Sequence, residues 1–137
     1  MFQNVRIGSE HRDDSLMIPA VWRQLVRNPV EAQFSQGGGI RDLAMHWAYL
    51  FDGTAGLYLG DHHWPVNDLS IWVTRHSANS LRFGLSREFG VRPGQRRNSN
   101  SYVVAVRPGG DWHAGADIYR AWAKTPCPQQ KANILRL

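Results

Sequence analysis

Cysteine is almost missing from this chain: Cys127, between Pro126 and Pro128, is the only one, so no internal disulfide and no cysteine-built zinc site can form. Long apolar runs are missing too. No stretch approaches the ~18 to 20 apolar residues that cross a bilayer, and no basic segment followed by an apolar core opens the chain. A soluble protein without an export signal or membrane association is expected, its compartment left open. Several catalytic signatures are also absent. There is no serine nucleophile motif and no dinucleotide fingerprint, and Gly37-Gly38-Gly39 lacks both the following Lys-Ser/Thr of a phosphate loop and a spaced third glycine. No internal repeat or sustained low-complexity tract is visible.

What is present fits one domain. The 137 residues are 42% hydrophobic and 11% aromatic, enough for one core but too few for a sandwich plus a catalytic barrel. Sixteen basic against eleven acidic residues give a formal net charge of +5. Arg92, Arg96 and Arg97 concentrate that charge in a Pro/Gly/Asn/Ser stretch. Such a loop can attract nucleic acid, but no basic helical face or RNA-binding aromatic motif accompanies it, so nucleic acid is a minor alternative.

Strand patterns dominate the chain in order. Phe2–Ile7 and Leu16–Ile18 read as short strands, the second ending at Pro19 or lying at an edge, because proline cannot donate to a ladder. Asn28-Pro29 marks a turn. From Leu43 to Phe51 the large residues Leu43, Met45, Trp47, Tyr49 and Phe51 alternate with Ala44, His46, Ala48 and Leu50, which predicts one strand whose heavy face meets a core. Asp52-Gly53 is a hairpin signal, with Gly56–Gly60 as the returning strand. Leu69–His76 and Leu81–Phe89, joined by Ser77-Ala78-Asn79-Ser80, predict a second hairpin. Ser101–Arg107 supplies a further strand rich in valine.

After Pro108-Gly109-Gly110 the period changes. Asp111 can accept from the free N–H groups of a first helical turn, and its charge suits the positive end of the helix dipole. Trp112, Ala116, Tyr119 and Ala123 fall along one stripe, with Trp122 at its margin and Asp117 and Arg120 off it. A helix over about 111–124 is predicted, closing a domain of residues 1–124. Residues 125–137 read as a tail or as the start of a following domain.

These motifs together resemble the N-terminal β-sandwich region of bacterial glycoside-hydrolase-like proteins of the DUF6259 type, which share the layout of α-galactosidase-like enzymes. The resemblance is carried by Asn28-Pro29, Leu43-Ala44-Met45-His46-Trp47 with Tyr49 and Phe51, Gly56–Gly60, and Gly110-Asp111-Trp112-His113 through Tyr119-Arg120-Ala121-Trp122-Ala123. It covers about residues 16–124. It implies a mainly β, antiparallel, supersandwich-like fold, partial and shortened at both ends, with one C-terminal helix. It also implies a setting in carbohydrate metabolism in which a separate (β/α) barrel carries the catalytic carboxylates. The helix, with Trp112, Tyr119 and Trp122, would then pack against that barrel. Where the family commonly places His-Asp after the Tyr-Leu-Gly strand, this chain has His62-His63.

Read as chemistry, glycoside hydrolysis needs two carboxyl groups facing each other about 5 to 9.5 Å apart. The carboxylates here sit mostly at turns and caps, Asp52 and Asp111 among them, and no catalytic residue is assigned. His62 and His63 could bind zinc together only from an irregular loop, so no metal site is assigned either, and no cofactor is implied. Trp64, beside Asp61, His62 and His63, is the tryptophan best placed for sugar stacking or domain contact, whereas Trp47 and the helix tryptophans read as core. The expectation is a non-catalytic accessory or packing domain of a glycoside-hydrolase-like protein. A free-standing carbohydrate-binding module is the rival.

Overall fold

The structure is a computed structural model and describes residues 2–5, 13–20, 24–32, 43–63, 69–87, 90–96 and 102–125. Among these, eight strands precede one helix: β1 (Phe2–Val5), β2 (Ser15–Ile18), β3 (Gln24–Arg27), β4 (Trp47–Phe51), β5 (Ala55–Asp61), β6 (Leu69–Ser77), β7 (Ser80–Arg87), β8 (Tyr102–Pro108) and α1 (Trp112–Ala123). The strands form two antiparallel sheets, one of three strands in the order β1-β7-β6 and one of five in the order β3-β2-β4-β5-β8. Neither closes into a barrel. The expected mainly β architecture with one C-terminal helix is what the chain adopts.

Local chemistry explains most boundaries. β2 stops before Pro19, whose carbonyl accepts from the Ala44 and Met45 N–H groups instead of continuing the ladder. The β4–β5 hairpin turns at Asp52, whose carboxylate accepts from the Thr54 and Ala55 N–H groups and the Thr54 hydroxyl at 2.7 to 2.8 Å. Ala78-Asn79 turns β6 into β7, with the Ser77 and Ser80 hydroxyls bonded at 2.7 Å. Asp111 caps α1 by accepting from the His113 N–H at 2.9 Å.

One expectation about strands is corrected, and one strand, β3, carries no signal in the sequence pattern. The run Leu43–Phe51 is not one strand: Leu43 forms only an isolated bridge to Ala20, and the ladder begins at Trp47. β3 fell where only the Asn28-Pro29 turn was predicted; it pairs with β2 through Arg27 and ends at Asn28, which turns the chain with φ +48.

The five-stranded sheet is covered on both faces, and this organises the molecule. Leu16 and Ile18 of β2, Ala48 and Leu50 of β4 and Leu59 of β5 point one way and pack with Ile71, Val73, Leu81 and Phe83 of the smaller sheet. Met17, Trp47, Tyr49 and Tyr58 point the other way, against α1. The heavy face of the Trp47–Phe51 run therefore meets the helix rather than the second sheet, and its small face meets a core of its own. The layers run three-stranded sheet, five-stranded sheet, helix.

The helix lies very close to the sheet. Gly115 is its one fully buried residue, and a Cβ there would come within 2.9 Å of Tyr49 Cβ and Cγ and 3.0 Å of the Trp47 ring. Its flanks Trp112, Ala116, Ile118, Tyr119 and Trp122 are half-buried. Ala123, placed on the buried stripe by the sequence, is exposed, because the stripe is centred on Gly115.

Candidate functional site

Three of the residues singled out by the sequence, His62, Tyr119 and Trp122, meet at the C-terminal half of α1, together with Tyr58. Tyr58 of β5 is fully buried and stacks on Trp47, with ring centroids 6.1 Å apart. Its hydroxyl lies 2.8 Å from Nε2 of His62, the first residue beyond β5. The His62 ring stacks on Trp122 at 4.9 Å and 14°, and meets the edge of Tyr119 at 6.0 Å and 71°. Tyr119 and Trp122 are themselves 5.1 Å apart. The sequence treated His62 as part of a ligand loop and Tyr119 and Trp122 as a barrel-packing face. The structure makes them one cluster.

Protonation in the cluster follows from burial. Burial raises the Tyr58 hydroxyl above its ordinary value, and the neighbouring Tyr119 and Asp61 push the same way. Tyr119 is raised by burial as well, against the pull of the His46 backbone. Burial lowers His62, partly countered by Asp61. The tyrosine thus keeps its proton, and with His62 neutral the Tyr58 hydroxyl and Nε2 share one hydrogen bond whose direction depends on the ring tautomer, Nε2 accepting when the ring proton is on Nδ1. Protonating His62 removes that acceptor. Because the native state holds His62 below its unfolded value, the unfolded chain binds more protons in this window, and stability rises with pH. We expect the urea midpoint to fall between pH 7 and pH 5 and the slope to flatten in His62→Phe. The carboxyls of Asp52 and Asp111, both held below the ordinary range by hydrogen bonds, lose their contribution only at lower pH.

Asp61 is committed elsewhere. It is 1% exposed, and its carboxylate accepts from Arg87 Nη2 at 2.5 Å, joining the end of β5 to the end of β7. His63 is half-buried. Trp64 and Asp68, with Arg97 of the basic stretch, lie outside the described residues; Arg92 and Arg96 are exposed, flanking a turn in which the Gln95 N–H donates to the Arg92 carbonyl at 3.0 Å. Trp72 is half-buried on β6 and donates to the Ser86 hydroxyl.

The other carboxylates with defined partners are equally engaged. Asp52 closes the β4–β5 turn, Asp111 caps α1 and contacts His113 Nδ1 at 2.9 Å, and exposed Asp117 pairs with Arg120 at 3.1 Å. Among the described residues no group of three or more His, Cys, Asp or Glu side chains is placed to hold a metal ion.

A cavity that the sequence did not signal opens at the other end of the helix. Met17, Pro19, Ala20, Ala44, Met45, Trp47 and Trp112 line a space of about 410 Å³ between α1, β2 and the segment preceding β4. None of these side chains is charged. Trp112 is braced there by the His113 ring, whose centroid is 3.7 Å from its own. One wall of the cavity is the segment in which the Ala44 and Met45 N–H groups bond back to the Pro19 carbonyl rather than joining β4.

Among the described residues no helix is long and apolar enough to cross a membrane. No family model, no curated protein and no solved structure matches this chain.

Proposed function

We propose that the chain is a non-catalytic accessory and packing domain of a glycoside-hydrolase-like protein in carbohydrate metabolism, with its helix layer directed at a catalytic (β/α) barrel. The observation that carries the packing role is the uncharged cavity beside Trp112. A sugar site needs a few convergent polar groups to fix ring orientation, whereas a cavity lined by methionine, proline, alanine and indole suits an apolar side chain of a neighbouring domain. The engaged carboxylates support the non-catalytic part: Asp52, Asp111, Asp117 and Asp61 serve a turn, a cap, a helix-surface pair and an inter-sheet clasp. The link to carbohydrate metabolism rests on the motif resemblance. His62 and Trp122 stack on each other, so each ring spends one face on its partner rather than on a sugar.

Titration of the purified chain tests the reading. An apolar reporter dye is expected to bind saturably and to be displaced when Ala44→Phe fills the cavity, while oligosaccharides and aryl-glycosides are neither bound nor cleaved.

A further inference from the structure

Strand β8 is an open edge: among the described residues it pairs with β5 on one side and with nothing on the other. Its ladder phase can be read from flanking bonds. The Gly109 N–H donates to the Thr54 carbonyl, one step beyond the Ala55–Pro108 pair, and on the other side of β5 Asp52 N–H donates to the Ala55 carbonyl at 3.2 Å and Asp61 N–H to the His46 carbonyl at 2.9 Å. Antiparallel pairs alternate between bonded and non-bonded, so Val103, Ala105 and Arg107 bond β5. Tyr102, Val104 and Val106 therefore direct their N–H and carbonyl groups outward. Pro108, which has no N–H to offer, falls at an outward position, where proline is tolerated.

The same three residues carry the exposed side chains. Tyr102 is 38%, Val104 47% and Val106 72% exposed, while Val103 and Ala105 face α1. Val104 and Val106 sit beside Leu59 and Leu57, on the face of the five-stranded sheet that packs against the smaller sheet. An edge with both an open ladder and an apolar stripe invites strand addition.

We propose that β8 pairs with β8 of a second copy of this chain, antiparallel about a two-fold axis at Val104, joining the two five-stranded sheets edge to edge. The strand is self-complementary in that register. Val104 opposes itself and Tyr102 opposes Val106 of the other copy, so Tyr102, Val104 and Val106 of each strand find partners. Shifting the centre to Ala105 would set Pro108, which has no N–H, in a bonded position opposite Tyr102. Charge agrees: Arg107 is the only charged residue of β8, and the two copies of it lie at opposite ends of the paired stretch, roughly 20 Å apart at 3.4 Å per residue. That separation exceeds the screening length of about 8 Å at physiological salt.

Light scattering on the size-fractionated full chain over a concentration series tests this. The parent is expected at twice 15.6 kDa and Val104→Lys at 15.6 kDa with an unchanged far-ultraviolet circular dichroism spectrum. In a Cys127→Ser background, Val104→Cys is expected to form a disulfide-linked dimer on mild oxidation, since bonded pairs bring Cα atoms to about 5.5 Å, and Val106→Cys is not. A parent that is monomeric at every concentration, a dimer unaffected by Val104→Lys, or equal cross-linking from both cysteine variants overturns the proposal.

Discussion

Asp61→Ala is expected to lower unfolding free energy by about 3 to 5 kcal/mol, the largest single effect anticipated in this molecule. Asp61 ends β5 in one sheet and Arg87 ends β7 in the other; their side chains are 1% and 8% exposed and 2.5 Å apart. Removing the carboxylate takes from a buried guanidinium the acceptor it meets at the end of β5, and the cost of keeping that charge buried, rather than the lost attraction, sets the size of the effect. The same reasoning predicts that the pair is replaceable. Asp61→Leu with Arg87→Met is expected to recover most of the loss, because an apolar pair carries no desolvation penalty. Urea unfolding of the two single variants and the double variant measures this coupling directly. A loss under about 1 kcal/mol in Asp61→Ala would mean the clasp is solvated and contributes as surface pairs do.

Gly115→Ala is expected to destabilise the protein although it should favour the helix. Alanine gains about 1 kcal/mol over glycine in a helix interior. Here the added Cβ meets Tyr49 Cβ at 2.9 Å, an atom fixed to the β4 backbone, and the Trp47 ring at 3.0 Å. Overpacking of this kind costs about 1 to 3 kcal/mol, so the net loss in alanine reaches up to about 2 kcal/mol and in Gly115→Val about 3 kcal/mol or more as α1 is lifted off the sheet. The control is Ala121→Gly on the exposed side of the same helix, which loses about 1 kcal/mol through propensity alone. Opposite responses to the same pair of residues at two helix positions would show that contact with β4, not helix formation, governs this layer.

Much of the fold was legible because turn and cap chemistry is local. Asp52-Gly53, Ala78-Asn79, Pro108-Gly109-Gly110 and Asp111 mark their boundaries within a residue or two. What could not be read was which face meets which layer. The alternation of Trp47 and Tyr49 with Ala48 and Leu50 describes equally a strand buried on one side and one buried on both; only the helix packing back across β4 decides it. Gly115 was missed for a related reason, since a residue without a side chain carries no hydrophobic signal, yet it sets the line of closest approach. The site was legible residue by residue but not as a unit. His62 and Trp122 lie 60 positions apart, and nothing local in either segment announces their stacking. Asp61 read as a loop carboxylate beside two histidines, whereas the β5 ladder carries it inside to Arg87.

The buried Asp61–Arg87 pair and the His62–Trp122 stack hold layers together, and two apolar surfaces stand open: the cavity beside Trp112 and the stripe on β8. The proposed function depends on that division. The most direct test is a paired titration of the intact chain followed by tryptophan fluorescence, once with an apolar dye and once with a panel of oligosaccharides. The packing-domain account predicts saturable dye binding that Ala44→Phe abolishes, with no spectral change on adding any sugar. Saturable sugar binding that Trp122→Ala or His62→Ala removes, with no dye bound at the cavity, would contradict it and establish a carbohydrate-binding module instead.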